Sequence, residues 1–523
     1  MIVLNKSYNW LFSFLIASFI FLWGMEISYI PEFFQVDILG IDKNSSPEEL
    51  KKENISKLAI LNLLKGQQVP VYNPRFNILL LLIPIFFKIV KFSNFKKNLI
   101  FFFKKNYTKI KIFILFFIFL ILHFLLSNFL NDAELKLNNF LSLSFLIILS
   151  FIYIYYRKLI ILNLNKIIFI FIILLILTTI FGFFATTDHP SFDYCTQKFL
   201  IYLFNDKDAL EVYNNREYWS LLKLNEDLVF FQITNVFYDE NAHLGMVFPA
   251  VLFYLIFKSQ NNIKYFYIAI LTYIISLLFV STTLLAGIVV SGTIINIYIL
   301  KVKKKIDKII LLNSFFIIIS TLIFFSDKNC SKKITDINFN LKKVSEKGYF
   351  NSLGSQNLDY GYDEDIFSTD SFSEPDASIQ NIYKIKNSTS TVAERSVAVT
   401  VDTLLNNFWG WGYGNNDIGT LSYLNKQYKD NLTYIPPGHL EVLNLKDSLG
   451  NIFKLLTEFG LFFVIFFYYL YKYVINDKKV YSYKIFFIGI LFVQLFRAAG
   501  YLNGGFCLAI FEVLFYRKFS KSI

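Results

Sequence analysis

The stretch TTLLAGIVVSGTIINIYILKVKKKIDKIILLNSFFIIISTLIFF, residues 282–325, holds two apolar runs, 282–300 and 308–325, joined by a short segment rich in lysine. As a helix rising ~1.5 Å per residue, each run approaches the ~30 Å hydrocarbon core of a bilayer. Two such runs with so short a connection leave and re-enter the bilayer on the same side. Lysines retained near span ends mark that side as cytoplasmic. KVKKK at 301–305 therefore reads as a topology signal and not as a nucleic-acid patch.

Working outward, comparable runs lie near 9–25, 75–90, 109–127, 139–156, 165–184, 244–257, 264–280, 452–471, 482–497 and 500–516. Together they predict an all-α integral membrane protein with about twelve transmembrane helices. The composition agrees: 55% of the 523 residues are hydrophobic, 62 of them Phe, more than a globular surface can cover. Lys6 precedes an apolar run from Asn9 to Trp23 with no small-x-small cleavage site after it. This reads as a retained first helix with Trp10 and Trp23 as interfacial anchors.

Alternating sides from a cytoplasmic N-terminus puts Lys88 to Lys111, Arg157, Lys158, Lys166, Lys258, Lys264, Lys301 to Lys308, Lys472 to Lys484 and Arg517 to Lys521 on the inner side. Only Asp307 and Asp477 oppose them there, and both termini fall inside. A register shifted by one helix would bring the acidic loops inside instead. The chain then divides into an N-terminal bundle of about nine helices over 1–325 with outer loops 26–74 and 185–243, a large outer loop 326–451 containing short helices, and C-terminal transmembrane helices over 452–523. The acidic tract 359–376 lacks calcium-loop spacing and reads as a solvated insertion. Cys195, Cys330 and Cys507 form neither a disulfide scaffold nor a zinc cluster, and a Cys195–Cys330 bridge stays open.

A working surface on the outer side has no nucleotide donors, so a transfer reaction there needs an activated donor such as a lipid diphosphate. Arginine pairs bidentately with such a group. The outer arginines are Arg75, Arg216, Arg395 and Arg497. Arg395 lies on an amphipathic stretch that ends in a turn with Gly410, Trp411, Gly412 and Gly414, an arrangement able to present it to a head group at the membrane surface. The alternative is an ordinary surface arginine. Arg497 closes the eleventh run beside small residues, where function competes with snorkelling to the interface. His123 reads as a core residue with a helix–helix hydrogen bond, and His189 has no metal-like partner. His243, near Glu240 and Asn241, and His439, near Glu441, are candidate general bases and equally plausible structural residues.

Four segments resemble the O-antigen polymerase and O-antigen ligase superfamily: FYDENAHLGMVFPAVLFYLIF at 237–257, LLFVSTTLLAGIVVSGTIINI at 277–297, AERSVAVTVDTLLNNFWGWGYGNN at 393–416 and SLGNIFKLLTEFGLFFVIFFYYL at 448–470. The resemblance covers roughly 230–515. Ligases of this family carry a His at the start of the last segment, where this chain reads Asp447-Ser448-Leu449-Gly450-Asn451, so the polymerase is favoured over the ligase. The resemblance implies a metal-independent glycosyltransferase of the bacterial inner (cytoplasmic) membrane that needs no cofactor. It would join oligosaccharide units carried on undecaprenyl diphosphate at the periplasmic face, making O-antigen lipopolysaccharide or a related polysaccharide. A chain-length regulator is a further partner it leaves open.

In that expectation Arg395, Arg497, His439 and Glu441 are catalytic, while Arg216, Asn241, His243, Gly410, Gly412 and Trp411 bind substrate. Ligase, protein glycosylating transferase and, from another class, flippase or transporter remain alternatives. The transporter would carry charged residues within several spans, where the sequence offers Arg497 and Glu512.

Overall fold

The computed structural model describes residues 6–21, 107–131, 135–184, 241–279, 281–326, 389–428, 448–475, 479–497, 500–501 and 503–519. Its regular elements are helices, with no strand among the described residues. In order they are α1 (Lys6–Phe21), α2 (Tyr107–Leu130), α3 (Leu137–Leu162), α4 (Leu164–Phe184), α5 (Asn241–Lys258), α6 (Lys264–Ser276), α7 (Thr282–Lys303) and α8 (Lys308–Ser326). There follow α9 (Thr389–Asn406), α10 (Asn416–Tyr428), α11 (Asn451–Phe459), α12 (Phe463–Ile475), α13 (Ser482–Arg497) and α14 (Phe506–Phe519).

The end signals of α7 and α8 explain the hairpin that the lysines announced. Ser281 has extended backbone and its Oγ accepts the Leu284 N–H at 3.1 Å, capping α7. Lys304 ends the helix in the left-handed region, φ 56°. Asp307 then accepts from the N–H groups of Ile309 and Ile310 and pairs with Lys303 across the turn.

Four helical segments are long and apolar enough to cross a membrane: 137–154, 282–303, 308–325 and 451–475, the last joining α11 to α12 through a 3-10 turn at Gly460–Phe462. A fifth arises if the bent pair 156–162 and 164–177 is one span. Shorter apolar helices occupy 10–21, 114–130, 243–258, 264–279 and 506–515. The predicted span 75–90, most of the outer loops 26–74 and 185–243, the acidic tract 359–376, Cys195 and Cys330 lie outside the described residues. Cys507 is buried and free.

Two expectations about inner connections change. No loop separates the runs at 139–156 and 165–184: α3 continues to Leu162 and meets α4 at Asn163, with a 62° bend. The Asn163 side chain donates to the Leu159 carbonyl at 2.9 Å, filling a helix-end acceptor. Nor is Arg157 a loop charge. It is 3% exposed and holds Glu512 of α14 through Nε and Nη2 at 2.6 and 2.7 Å, while the Tyr153 hydroxyl donates to the same carboxylate at 2.6 Å. Lys484 is likewise buried and donates to the Tyr473 carbonyl at 2.9 Å. Charged heads inside the bundle survive because each finds a partner there.

At the centre α5, α7 and α13 approach closely through small residues. A Cβ on Gly287 would stand 3.1 Å from the Gly245 carbonyl oxygen and 3.2 Å from both Pro249 Cγ and Val493 Cγ1. Pro249 lacks the N–H that would otherwise use that carbonyl. Gly489 meets Ala250 in the same way, with Cα at 2.6 Å from the added atom. Around this centre α1 packs on α4, α6 on α4 and α5, and α14 on α3, α12 and α13.

Lys166 lies over the Trp10 ring at 5.6 Å, Tyr254 bonds Asn165, the Tyr481 N–H reaches the Tyr298 hydroxyl, and Arg157 lies over Tyr483 at 5.7 Å. Each pair joins residues that alternation assigns to one end of the bundle.

Gly489→Val should lower the unfolding temperature of the purified protein in detergent, with an overpacking cost of about 1–3 kcal/mol. Glu512→Ala strands Arg157 and should cost about 3–5 kcal/mol in the same measurement, most of it recovered when Arg157→Met is added.

Candidate functional site

The opposite end of the bundle holds the two arginines. α9 runs beside α11 in the same direction: the Ser396 hydroxyl accepts the Leu449 N–H at 3.0 Å, and the Thr400 hydroxyl lies 3.4 Å from both the Phe453 carbonyl and the Thr457 hydroxyl. Ala398, Val399 and Thr403 bury the rest of this face. This packing corrects the reading of Arg395 as a surface residue in either sense. It is 3% exposed, and its Nη2 is buried without a hydrogen-bond partner among the described residues. Burial pulls its pKa down to about 10. The guanidinium still carries its proton at neutral pH, so the cost of burying a charge is present below pH ~10 and is relieved only as pH rises toward the ordinary arginine value.

Arg497 ends α13, half-buried, and its Nε donates to the Thr283 hydroxyl at 3.2 Å on the first turn of α7. One turn earlier, fully buried Gln494 donates to the carbonyls of Met246 and Gly504 at 3.4 and 2.8 Å. The strap Ser448–Gly450 links the arginines. Leu449 bonds Ser396, next to Arg395, and a Cβ on Gly450 would stand 2.5 Å from the Leu495 oxygen and the Phe496 carbonyl carbon, next to Arg497. Among the described residues no carboxylate pairs with either arginine; the ion pairs there are Lys136–Asp417, Arg157–Glu512 and Lys303–Asp307. Arginine pairs readily with phosphate and carboxylate groups, so these two residues are the candidates at this end for holding an anion.

Gly245 packs against the backbone of Thr283 and Leu284, and half-buried His243 lies two residues earlier on α5. Asn241 is the first residue of α5. Arg216, His439 and Glu441 lie outside the described residues.

The glycine turn after α9 is engaged with protein. Gly410, Gly412 and Gly414 take φ of 82°, 91° and 78°. The N–H groups of Trp411 and Gly412 donate to the carbonyls of Thr457 and Glu458 at 3.0 and 2.9 Å, and the Trp411 indole donates to the Thr403 hydroxyl at 3.1 Å. His123 Nε2 holds the Trp409 carbonyl at 2.8 Å and Asn131 the Gly410 carbonyl at 3.2 Å. Asn415 bridges Asn128 and Asn139, both at 2.9 Å, and Tyr413 meets Ser142 at 2.8 Å. Sequence reading missed this seam. Its signal was the polar stripe His123, Ser127, Asn128 and Asn131 on one face of the otherwise apolar α2.

Also missed was Tyr501, 9% exposed, whose hydroxyl donates to fully buried Glu458 at 2.6 Å. Its ring stacks on Tyr413 with centroids 5.5 Å apart and lies 5.5 Å from the Lys454 ammonium.

Against known proteins, the chain matches no family model, no curated protein and no solved structure.

Replacing the unpartnered cation tests the site directly. Arg395→Met should raise the unfolding temperature of the ligand-free protein, a stabilisation of about 1–4 kcal/mol, because it removes a buried charge and keeps the volume. An unchanged or lower value would show that the guanidinium is neutralised within the fold.

Proposed function

We propose that the chain is a multi-pass membrane glycosyltransferase, a polymerase that joins oligosaccharide units carried on undecaprenyl diphosphate at the periplasmic face of a bacterial inner membrane. The observation that carries the reading is the pair Arg395 and Arg497, drawn to one end of an apolar helical body and left without a carboxylate among the described residues. That end is the one the lysine pattern assigns to the outside, in a topology of about twelve spans. Of the four segments that resemble the O-antigen polymerase and ligase superfamily, 393–416 contains Arg395 and 277–297 contains Thr283, to which Arg497 donates. The missing His at 447–451 favours the polymerase over the ligase.

In the reaction a sugar hydroxyl of one lipid-linked unit attacks the anomeric carbon of the chain on a second lipid. The new C–O bond forms as the bond from that carbon to the diphosphate oxygen breaks, and the electron pair leaves with the lipid diphosphate. Arg395 and Arg497 bind the diphosphate and stabilise the charge that develops on it, a contribution that grows in a site shielded from water. The hydroxyl proton passes to a base, for which His243, His439 and Glu441 are the candidates. The diphosphate is a good leaving group, so the demand on that base is modest. The glycine turn with Gly410, Trp411 and Gly412 supports this site as scaffold, because its backbone groups and indole are committed to protein partners.

A flippase or transporter is the second reading. It gains from Arg157, Lys484, Glu458 and Glu512, which add buried charge to what the sequence suggested for the spans. Each of these residues has an internal partner, as structural charges do.

In cells carrying Arg395→Ala or Arg497→Ala at normal protein level, the long polysaccharide ladder should collapse to single repeat units on the lipid A core. A normal ladder would sink the assignment, and a bare core would indicate the ligase. Failure of the purified protein to elongate lipid-linked units in detergent would favour the transporter.

A further inference from the structure

We infer that Tyr501 and its socket are a positioning device for Arg497, an inference that rests on the diphosphate reading above. Tyr501 stands four residues beyond Arg497, and protein contacts meet it from three directions. Glu458 takes its hydroxyl at 2.6 Å, Tyr413 stacks on its ring, and the Lys454 ammonium lies 5.5 Å from the ring centroid. Two further bonds fasten the same stretch of backbone: Asn451 donates to the Gly500 carbonyl at 3.4 Å and Gln494 to the Gly504 carbonyl at 2.8 Å. Glu458 and Asn451 belong to α11, the helix that also packs on α9 and hence beside Arg395. One helix thus touches both the helix that carries Arg395 and the stretch that follows Arg497.

A fully buried carboxylate in an apolar segment is expensive, and an aliphatic side chain would pack there at lower cost. The bond from the Tyr501 hydroxyl at 2.6 Å is what this buried carboxyl group gains in return. The anchor serves Arg497, whose half-buried side chain is held, among the described residues, by a bond to Thr283.

The test uses the full chain in detergent, with undecaprenyl diphosphate as the probe. Tyr501→Phe removes only the hydroxyl. Amide hydrogen exchange should quicken over residues 495–505 and stay unchanged in α5 and α7. Probe affinity should fall about tenfold, a coupling of ~1.4 kcal/mol that disappears when Arg497→Ala is already present and persists beside Arg395→Ala. Glu458→Gln should produce the same pattern more weakly. Unchanged exchange over 495–505, or a loss of affinity that adds in full to that of Arg497→Ala, would overturn the positioning role. No binding by the unaltered protein would instead overturn the diphosphate reading, and the inference with it.

Discussion

A chain this apolar must satisfy its own backbone, because the surroundings offer no water to its N–H and C=O groups, and the helix is the local way to do so. Polar side chains within the helices are then left to find one another. They gather where helices end or cross. Arg157 meets Glu512 and Tyr153, Asn128 and Asn139 meet Asn415, Asn131 meets Asn407, and Gln494 spans two carbonyls. The glycine contacts among α5, α7 and α13 bring backbones close enough for such short side chains to reach. Arg395 Nη2 is a buried polar atom with no hydrogen-bond partner among the described residues, and it belongs to a cation.

Satisfaction also separates two features that looked alike in the sequence. The glycine turn and Arg395 lie on one segment, and both invited a ligand. The turn spends its carbonyls, N–H groups and indole on α2, α9 and α11, so its glycines serve close approach and positive φ. A Cβ on Gly410 would collide with the Glu458 carbonyl, which makes the glycine a condition of docking α9 to α11. The Nη2 of Arg395 makes no matching bond among the described residues. The same docking that consumes the turn buries the arginine.

Helix positions in the apolar runs were legible because they depend on local sequence: most described helices overlap those runs and α13 ends on Arg497 as its run does, whereas α9 and α10 lie in no run and α14 begins at Phe506, six residues after its run opens. The burial of Arg395 was not legible. It depends on Ser396 meeting Leu449 and Thr400 meeting Thr457, more than fifty positions away, and the moderate amphipathicity of α9 fits a lipid surface as well as a protein groove. The Asn163 elbow escaped notice for a different reason. Arg157 and Lys158 resemble loop charges until Glu512, far along the chain, supplies a partner within the bundle.

Removing Arg157 and Lys484 from the set of loop charges weakens the lysine argument by two residues without reversing it. Lys301 and Lys303 to Lys305 remain at the turn between α7 and α8, away from any acidic residue but Asp307. The buried pair ties Arg157, near the end of α3, to Glu512 in the middle of α14. Thr283, Arg497 and the strap at Ser448–Gly450 meet at the other end. What distinguishes that end is the pair of arginines that no carboxylate meets among the described residues.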